Sequence, residues 1–190
     1  IQKARIQTAP IRVIPIYTDV ARFGAIASTR SYENPEFEFV FLMACRLASE
    51  KHIDMAVRSF AKVVHEAPKT LLRIVGEGPE RQSLFGLVRS LGIGTRVQFE
   101  GWKESVREYY ATDHAFLSTS LYEGYGLAIV EAMASGMPVI ATDTGIAGDV
   151  LRSDETGIVT AVDGEDELTE AMLRVRKSYE LRWRLGHAAT

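Results

Sequence analysis

The sequence predicts an α/β domain built on a doubly wound, parallel sheet. Residues 37–44 are almost continuously apolar, as a strand covered by helices on both faces must be. An amphipathic helical pattern follows, and the alternation of short apolar run and helix repeats along the chain. Charged or glycine-containing loops follow four of the predicted strands, and such loops gather on one rim when the sheet is parallel.

The first 36 residues stand apart, with an edge strand at 11–16 and a connection at Asn34 and Pro35 leading into the main domain, residues 37–190. After the strand at 37–44, residues 52–65 place Ile53, Ala56, Val57, Phe60 and Val64 on one helical surface, which Pro68 ends. Residues 71–75 read as a strand, 80–91 as a helix, 97–99 as a strand and 105–111 as a short helix. Further strands are expected at 115–117, 139–141 and 157–159, with helices at 126–135 and 166–179.

With 190 residues, 46% of them hydrophobic, the chain can bury the core of one domain. A net charge of -3 with dispersed Lys and Arg argues against a nucleic-acid surface. The apolar runs are much shorter than the ~20 residues that cross a bilayer, so no transmembrane or secretory segment is expected. The single cysteine, Cys45, excludes an internal disulfide and fits a reducing compartment. His52, His65, His114 and His187 have no metal-ligand spacing with it, so no metal site is expected. His114, beside Asp113 and ahead of a strand, reads as a structural histidine rather than a catalytic one.

The most specific run is Glu-Gly-Tyr-Gly-Leu-Ala-Ile-Val-Glu-Ala-Met-Ala-Ser-Gly, residues 123–136, a glycine turn and a helix start between two carboxylates. Amides of a first helical turn point outward with partial positive charge, so the loop at Gly126 suits a phosphate. At ~1.5 Å per residue, Glu123 and Glu131 stand up to about 12 Å apart, beyond the ~5 to 5.5 Å of retaining glycosidases. Arg46 and Lys51 supply two cations within one strand-to-helix loop, a fork and a mobile point charge for a diphosphate. Gly76-Glu77-Gly78-Pro79-Glu80-Arg81 superficially matches a dinucleotide turn, but Arg81 stands where the last glycine belongs, which argues against an NAD enzyme.

These motifs resemble the retaining glycosyltransferases of the GT-B fold, family 4. The Glu-x7-Glu run and the following Ala-Met-Ala-Ser-Gly-Met-Pro-Val-Ile-Ala-Thr-Asp carry the likeness. So do Cys-Arg-Leu-Ala-Ser-Glu-Lys-His from Cys45, similar to the family's Gly-Arg-Leu and Glu-Lys-Gly, and residues 72–102, similar to its Ile-Val-Gly-Glu-Gly-Pro-Glu-Arg and Val-x-Phe-x-Gly-Trp.

The resemblance implies a Rossmann-like donor-binding domain, one half of a GT-B fold, that takes a nucleotide-diphosphate sugar as donor substrate without a cofactor or obligatory metal. It assigns Arg46 and Lys51 to the donor phosphates and the charge growing on the leaving nucleotide, and Glu123 to the donor sugar. Glu131 would accept ribose hydroxyls, Tyr125, Gly126 and Leu127 would meet phosphate or sugar, and Trp102 would border the base. An acceptor-binding partner domain is expected outside this chain, which alone would bind donor without transferring it. A cytoplasmic place follows, with membrane contact only through that partner domain. A noncatalytic nucleotide-sugar-binding regulatory module and a nucleotide-sugar epimerase of related fold are the alternatives. Departures from the family pattern are Cys45 and His52 for glycines, Thr119 for proline, Ile146 for a second glycine after Gly145, and Gly148-Asp149 for Pro-Glu. They bear on the donor side more than on the fold.

Overall fold

The computed structural model describes residues 19–30 and 39–190. The edge strand read at 11–16, the connection at Asn34 and Pro35, and the first two residues of the strand read at 37–44 lie outside them. Six strands form one sheet: β1 (Phe39–Ala44), β2 (Thr70–Val75), β3 (Val97–Gly101), β4 (Ala115–Ser118), β5 (Val139–Thr142) and β6 (Ile158–Thr160). Their order is β3-β2-β1-β4-β5-β6, with every pairing parallel. The chain thus winds outward from the middle in one direction and then in the other, which is the Rossmann-like arrangement expected. Between β1 and β4 the winding reverses, and a crevice opens there beyond the carboxyl ends of the strands.

The helices are α1 (Val20–Ala27), α2 (Ile53–Glu66), α3 (Arg81–Ser90), α4 (Arg107–Thr112), α5 (Leu127–Ala134), α6 (Glu165–Lys177) and α7 (Tyr179–Ala188). The two-residue period of β1 divides its side chains between two cores. Phe39, Phe41 and Met43 enter one cluster with Val57, Phe60, Leu84, Met172 and Leu185 from α2, α3, α6 and α7. Leu42 enters the other with Phe23, Tyr110, Ile129 and Met133 from α1, α4 and α5. Burial on both faces is why this strand reads as unbroken apolar sequence.

Two helices escaped the sequence reading. In α1, the Asp19 side chain accepts from the Arg22 amide at 3.1 Å, and Phe23 and Ile26 are buried, so this part of the first 36 residues is helical and joins the core. The Ser178 hydroxyl caps α7 in the same way, accepting from the Leu181 amide at 3.0 Å. Helix α7 hides from periodicity because it buries a charged residue, Arg182, which donates to the carbonyls of Val175 and Arg176, each at 2.9 Å.

His114 sits at the amino end of β4, away from the crevice. Its Nδ1 accepts from the Val40 amide and its own amide donates to the Val40 carbonyl, both at 2.9 Å, while its ring stacks on Phe39. Burial, assisted by the charges of Arg182, Arg30 and Arg73, lowers its pKa to about 4. It is therefore neutral and structural, as the sequence suggested. No described helix is long and apolar enough to cross a membrane.

Candidate functional site

Arg46 stands two residues past the end of β1, in a segment held by the neighbouring loop. The Cys45 amide donates to the Val75 carbonyl, the Leu47 amide to that of Glu77, and the Glu80 amide to that of Leu47, at 2.9–3.0 Å. Glycine is required for this fit. A Cβ on Gly76, whose φ is +138°, would lie 1.9 Å from the Cys45 carbonyl oxygen, and one on Gly78 would lie 2.2 Å from that of Leu47. The Gly-Glu-Gly turn therefore seats the Arg46 loop rather than cradling a pyrophosphate. The Arg46 side chain is exposed, with no ion pair or hydrogen bond among the described residues.

Lys51 ends a short 3-10 helix, Ser49–Lys51, and the loop after β4 is stitched to it. The Thr119 hydroxyl lies 2.9 Å from the Lys51 carbonyl and 3.0 Å from that of His52, and the Leu121 amide donates to the Glu50 carbonyl at 2.9 Å. A proline at 119 could supply no such hydroxyl. His52 takes φ +47°, a left-handed conformation that explains why glycine is the common residue there. Across the stitch, Lys51 Nζ meets Glu123 Oε1 at 2.5 Å, and the same oxygen accepts from the Ser120 hydroxyl at 2.8 Å. Two residues assigned from sequence to phosphate and sugar are thus paired with each other.

Gly126 adopts φ +90° and starts α5. As first residues of that helix, Leu127 and Ala128 have no intrahelical acceptor for their amides, which carry the positive end of the helix dipole. Gly145 supports this loop from behind: a Cβ there would come within 2.9 Å of the Glu123 side chain and of the Tyr125 carbonyl. Glu131 follows one turn into α5, half-buried, with its carboxyl pKa raised by burial and drawn partly back by the Tyr110 hydroxyl. That hydroxyl donates to Glu131 Oε2 at 3.2 Å.

Two cavities with common walls lie here. One, of about 200 Å³, is bounded by Arg46, Lys51, Ser120, Glu123, Gly126 and Leu127. The other, of about 410 Å³, is bounded by Gly76, Glu77, Trp102, Lys103, Tyr110 and Glu131. Arg46 and Ala128 line both. Of the residues expected from sequence, Arg46, Lys51, Glu123, Gly126 and Leu127 share the first cavity, while Glu131 and Trp102 lie along the second. Tyr125 borders neither and packs against the second core. Ile146 also turns inward and is 2% exposed, so its substitution for glycine is absorbed by packing. A larger hollow of about 810 Å³, lined by Phe85, Phe99, Arg81 and Arg89 among others, lies between α3 and the edge strand β3 and gathers none of the expected residues.

Sequence reasoning missed Tyr110 and Thr119 as parts of this site and assigned Ser120 no role. Tyr110 belongs to a helix that precedes β4, and no local spacing relates it to Glu131.

Burial holds Cys45 as a thiol, its pKa pushed up to about 12, so it is no nucleophile. What remains is a cleft with cations and outward amides at one end and, at the other, a carboxylate with one oxygen unpartnered among the described residues, complementary to an anionic ligand that also carries hydroxyls.

Known proteins share this framework. Over 160 residues the chain is 32% identical to N-acetyl-alpha-D-glucosaminyl L-malate synthase of Bacillus anthracis, covering 84% of this chain and 42% of that protein. Among solved structures, sucrose-phosphate synthase of Thermosynechococcus elongatus superposes with a TM-score of 0.78 at 26% identity, over 94% of this chain and 46% of that one. The pneumococcal O-GlcNAc transferase GtfA, in complex with UDP and GlcNAc, superposes with a TM-score of 0.68 at 26% identity, over 82% and 32%. This chain thus spans less than half the length of these relatives. Residues 27–190 match the family model described as Glycosyl transferases group 1, and the chain belongs to that family.

Proposed function

We propose that this chain is the donor-binding, carboxyl-terminal half of a retaining GT-B glycosyltransferase of family 4, and that its donor is a UDP-sugar. The observation that carries the reading is that the two cavities lie side by side, sharing Arg46 and Ala128 in their walls, with the Lys51–Glu123 pair in one and Glu131 in the other across the start of α5. A nucleotide diphosphate sugar fits that order of chemistry. Its ribose hydroxyls donate to Glu131, the base lies along Trp102, and the diphosphate rests on Arg46, Lys51 and the amides of Leu127 and Ala128. The sugar then faces Glu123.

The preference for uridine is supported by the pneumococcal relative, whose structure holds UDP and GlcNAc. As the bond between the sugar and the diphosphate breaks, negative charge grows on the leaving nucleotide. Arg46, Lys51 and the helix amides stabilise it in place of an obligatory metal. A second domain, binding the acceptor across the cleft, completes the enzyme, so this chain alone binds donor and does not transfer it.

A thermal-shift screen of UDP-, GDP- and ADP-sugars tests the reading. At ten times its dissociation constant a ligand stabilises the fold by ~1.4 kcal/mol, a rise of roughly 3 to 6 °C for a domain of this size. The expected result is a shift for UDP-sugars alone, abolished by Arg46→Ala and by Glu131→Ala. A shift that survives both substitutions, or none with any donor at millimolar concentration, refutes it. Sustained sugar transfer by the isolated chain would refute the need for a second domain.

A further inference from the structure

We propose that Tyr110 is the positioning residue for Glu131, holding one carboxylate oxygen so that the other is presented to a ribose diol, and that it thereby favours ribonucleotide over deoxyribonucleotide donors. The proposal rests on the reading of Glu131 given above. Tyr110 has no exposed surface, and its ring is fixed edge-on by Phe23 of α1, with centroids 5.8 Å apart and planes at 80°. Phe116 of β4 packs against the same ring at 5.9 Å. With the ring fixed, the hydroxyl is fixed, and its one proton reaches either Glu131 Oε2 at 3.2 Å or the Ala128 carbonyl at 3.3 Å. The ionised acceptor makes the stronger bond.

No other described side chain hydrogen-bonds the Glu131 carboxylate. Arg46 and Lys103 line the same cavity without bonding to it. Glu131 stands on a half-exposed helical position, where its side chain would otherwise sample several rotamers and lose that freedom when a ribose binds. Tyr110 imposes the loss beforehand, through a bond from α4 to α5 that leaves Oε1 without a partner among the described residues. A bond to Oε2 strengthens nothing that lacks the ribose hydroxyls. Its effect is therefore selective for ligands that carry them.

The test is calorimetric titration of this chain with UDP and with 2′,3′-dideoxy-UDP, in the unsubstituted protein and in Tyr110→Phe and Glu131→Gln. Removing the phenolic oxygen keeps the packed ring. The expected result is that Tyr110→Phe weakens UDP about tenfold, the scale of one hydrogen bond to a charged group, and weakens dideoxy-UDP less than about twofold. Equal weakening of both ligands, or of neither, would overturn the proposal, because a purely structural tyrosine cannot distinguish them. Glu131→Gln separates the two layers of inference. If discrimination between the ligands survives in that variant, the ribose reading of Glu131 fails; if it is lost there but intact in Tyr110→Phe, only the role of Tyr110 fails. Should Tyr110→Phe fold poorly, Glu131→Asp, which keeps the charge but withdraws it from the hydroxyl, must show the same selective loss.

Discussion

At the amino ends of the strands, polar groups are turned on one another. His114 exchanges two hydrogen bonds with Val40, Arg182 is spent on carbonyls, and Asp113 takes Arg73, reaching from the middle of β2, on its carboxylate and Arg30 on its carbonyl at 2.8 Å. At the carboxyl ends they are left with spare capacity. Among the described residues Arg46 is exposed and unbonded and Glu131 keeps one oxygen free, while the first amides of α5 lack intrahelical acceptors and Trp102 is 72% exposed. The strands carrying both rims are the same, so the contrast is local chemistry rather than fold. Substitutions at the amino rim should change stability without binding, and those at the carboxyl rim binding or transfer without stability.

The largest expected effect is on the carboxyl rim. In a full-length enzyme containing this domain, Arg46→Ala should lower kcat by about 10² to 10³, the cost of ~2.7 to 4 kcal/mol of lost charge stabilisation. Its melting midpoint should hardly move, because an exposed side chain without partners contributes within about 0.5 kcal/mol. A melting loss as large as the kinetic one would break the contrast.

The amino rim makes a prediction about pH. Burial raises the Asp113 pKa to about 6 despite Arg73, and burial lowers that of His114 to about 4. Between these values the folded state holds the Asp113 proton that the unfolded chain has released, so this group lowers stability as pH rises. His114 acts oppositely: below about 6.5 the unfolded chain takes up a proton that the folded state refuses, so its contribution is lost as pH falls. Each is worth at most about 3 kcal/mol, and the neighbours largely cancel. Denaturation midpoints from pH 4 to 6.5 should thus fall with pH in His114→Leu and rise with pH in Asp113→Asn. His114→Leu also leaves the Val40 amide unpaired, at about 1 to 3 kcal/mol, with UDP affinity unchanged.

Smaller effects sharpen the comparison where the rims' chemistry meets the backbone. Thr119→Val removes the hydroxyl that stitches the Lys51 loop and should weaken UDP binding several-fold, with about 1 kcal/mol lost from stability; Thr119→Ser should restore both. His52→Gly relieves a left-handed backbone at φ +47° and should stabilise by up to about 1 kcal/mol, read from chemical denaturation.

How far the sequence revealed all this depended on how local each signal was. The strand at Phe39–Ala44 and helix α2 were legible because burial imposes its period on consecutive residues. That Arg46, Lys51, Glu123, Gly126 and Glu131 gather on one rim was legible because they lie in ordered runs beside those elements. Helix α7 was not, since the residue it buries most completely is the charged Arg182, which inverts the pattern. Tyr110 was hidden for a different reason: its partner is 21 residues away on another helix, and only the packing of α4 beside α5 brings them together. A still longer separation in sequence concealed the contacts of Thr119, whose partners lie 67 and 68 residues earlier.

The most direct test of the open carboxyl rim is an amide chemical-shift map of the isotope-labelled chain titrated with UDP. The largest changes are expected at Leu127 and Ala128, with others at Arg46, Glu131 and Trp102, and none at His114. Changes centred instead on Phe85, Gly92 and Gly94, around the larger hollow between α3 and β3, would contradict it.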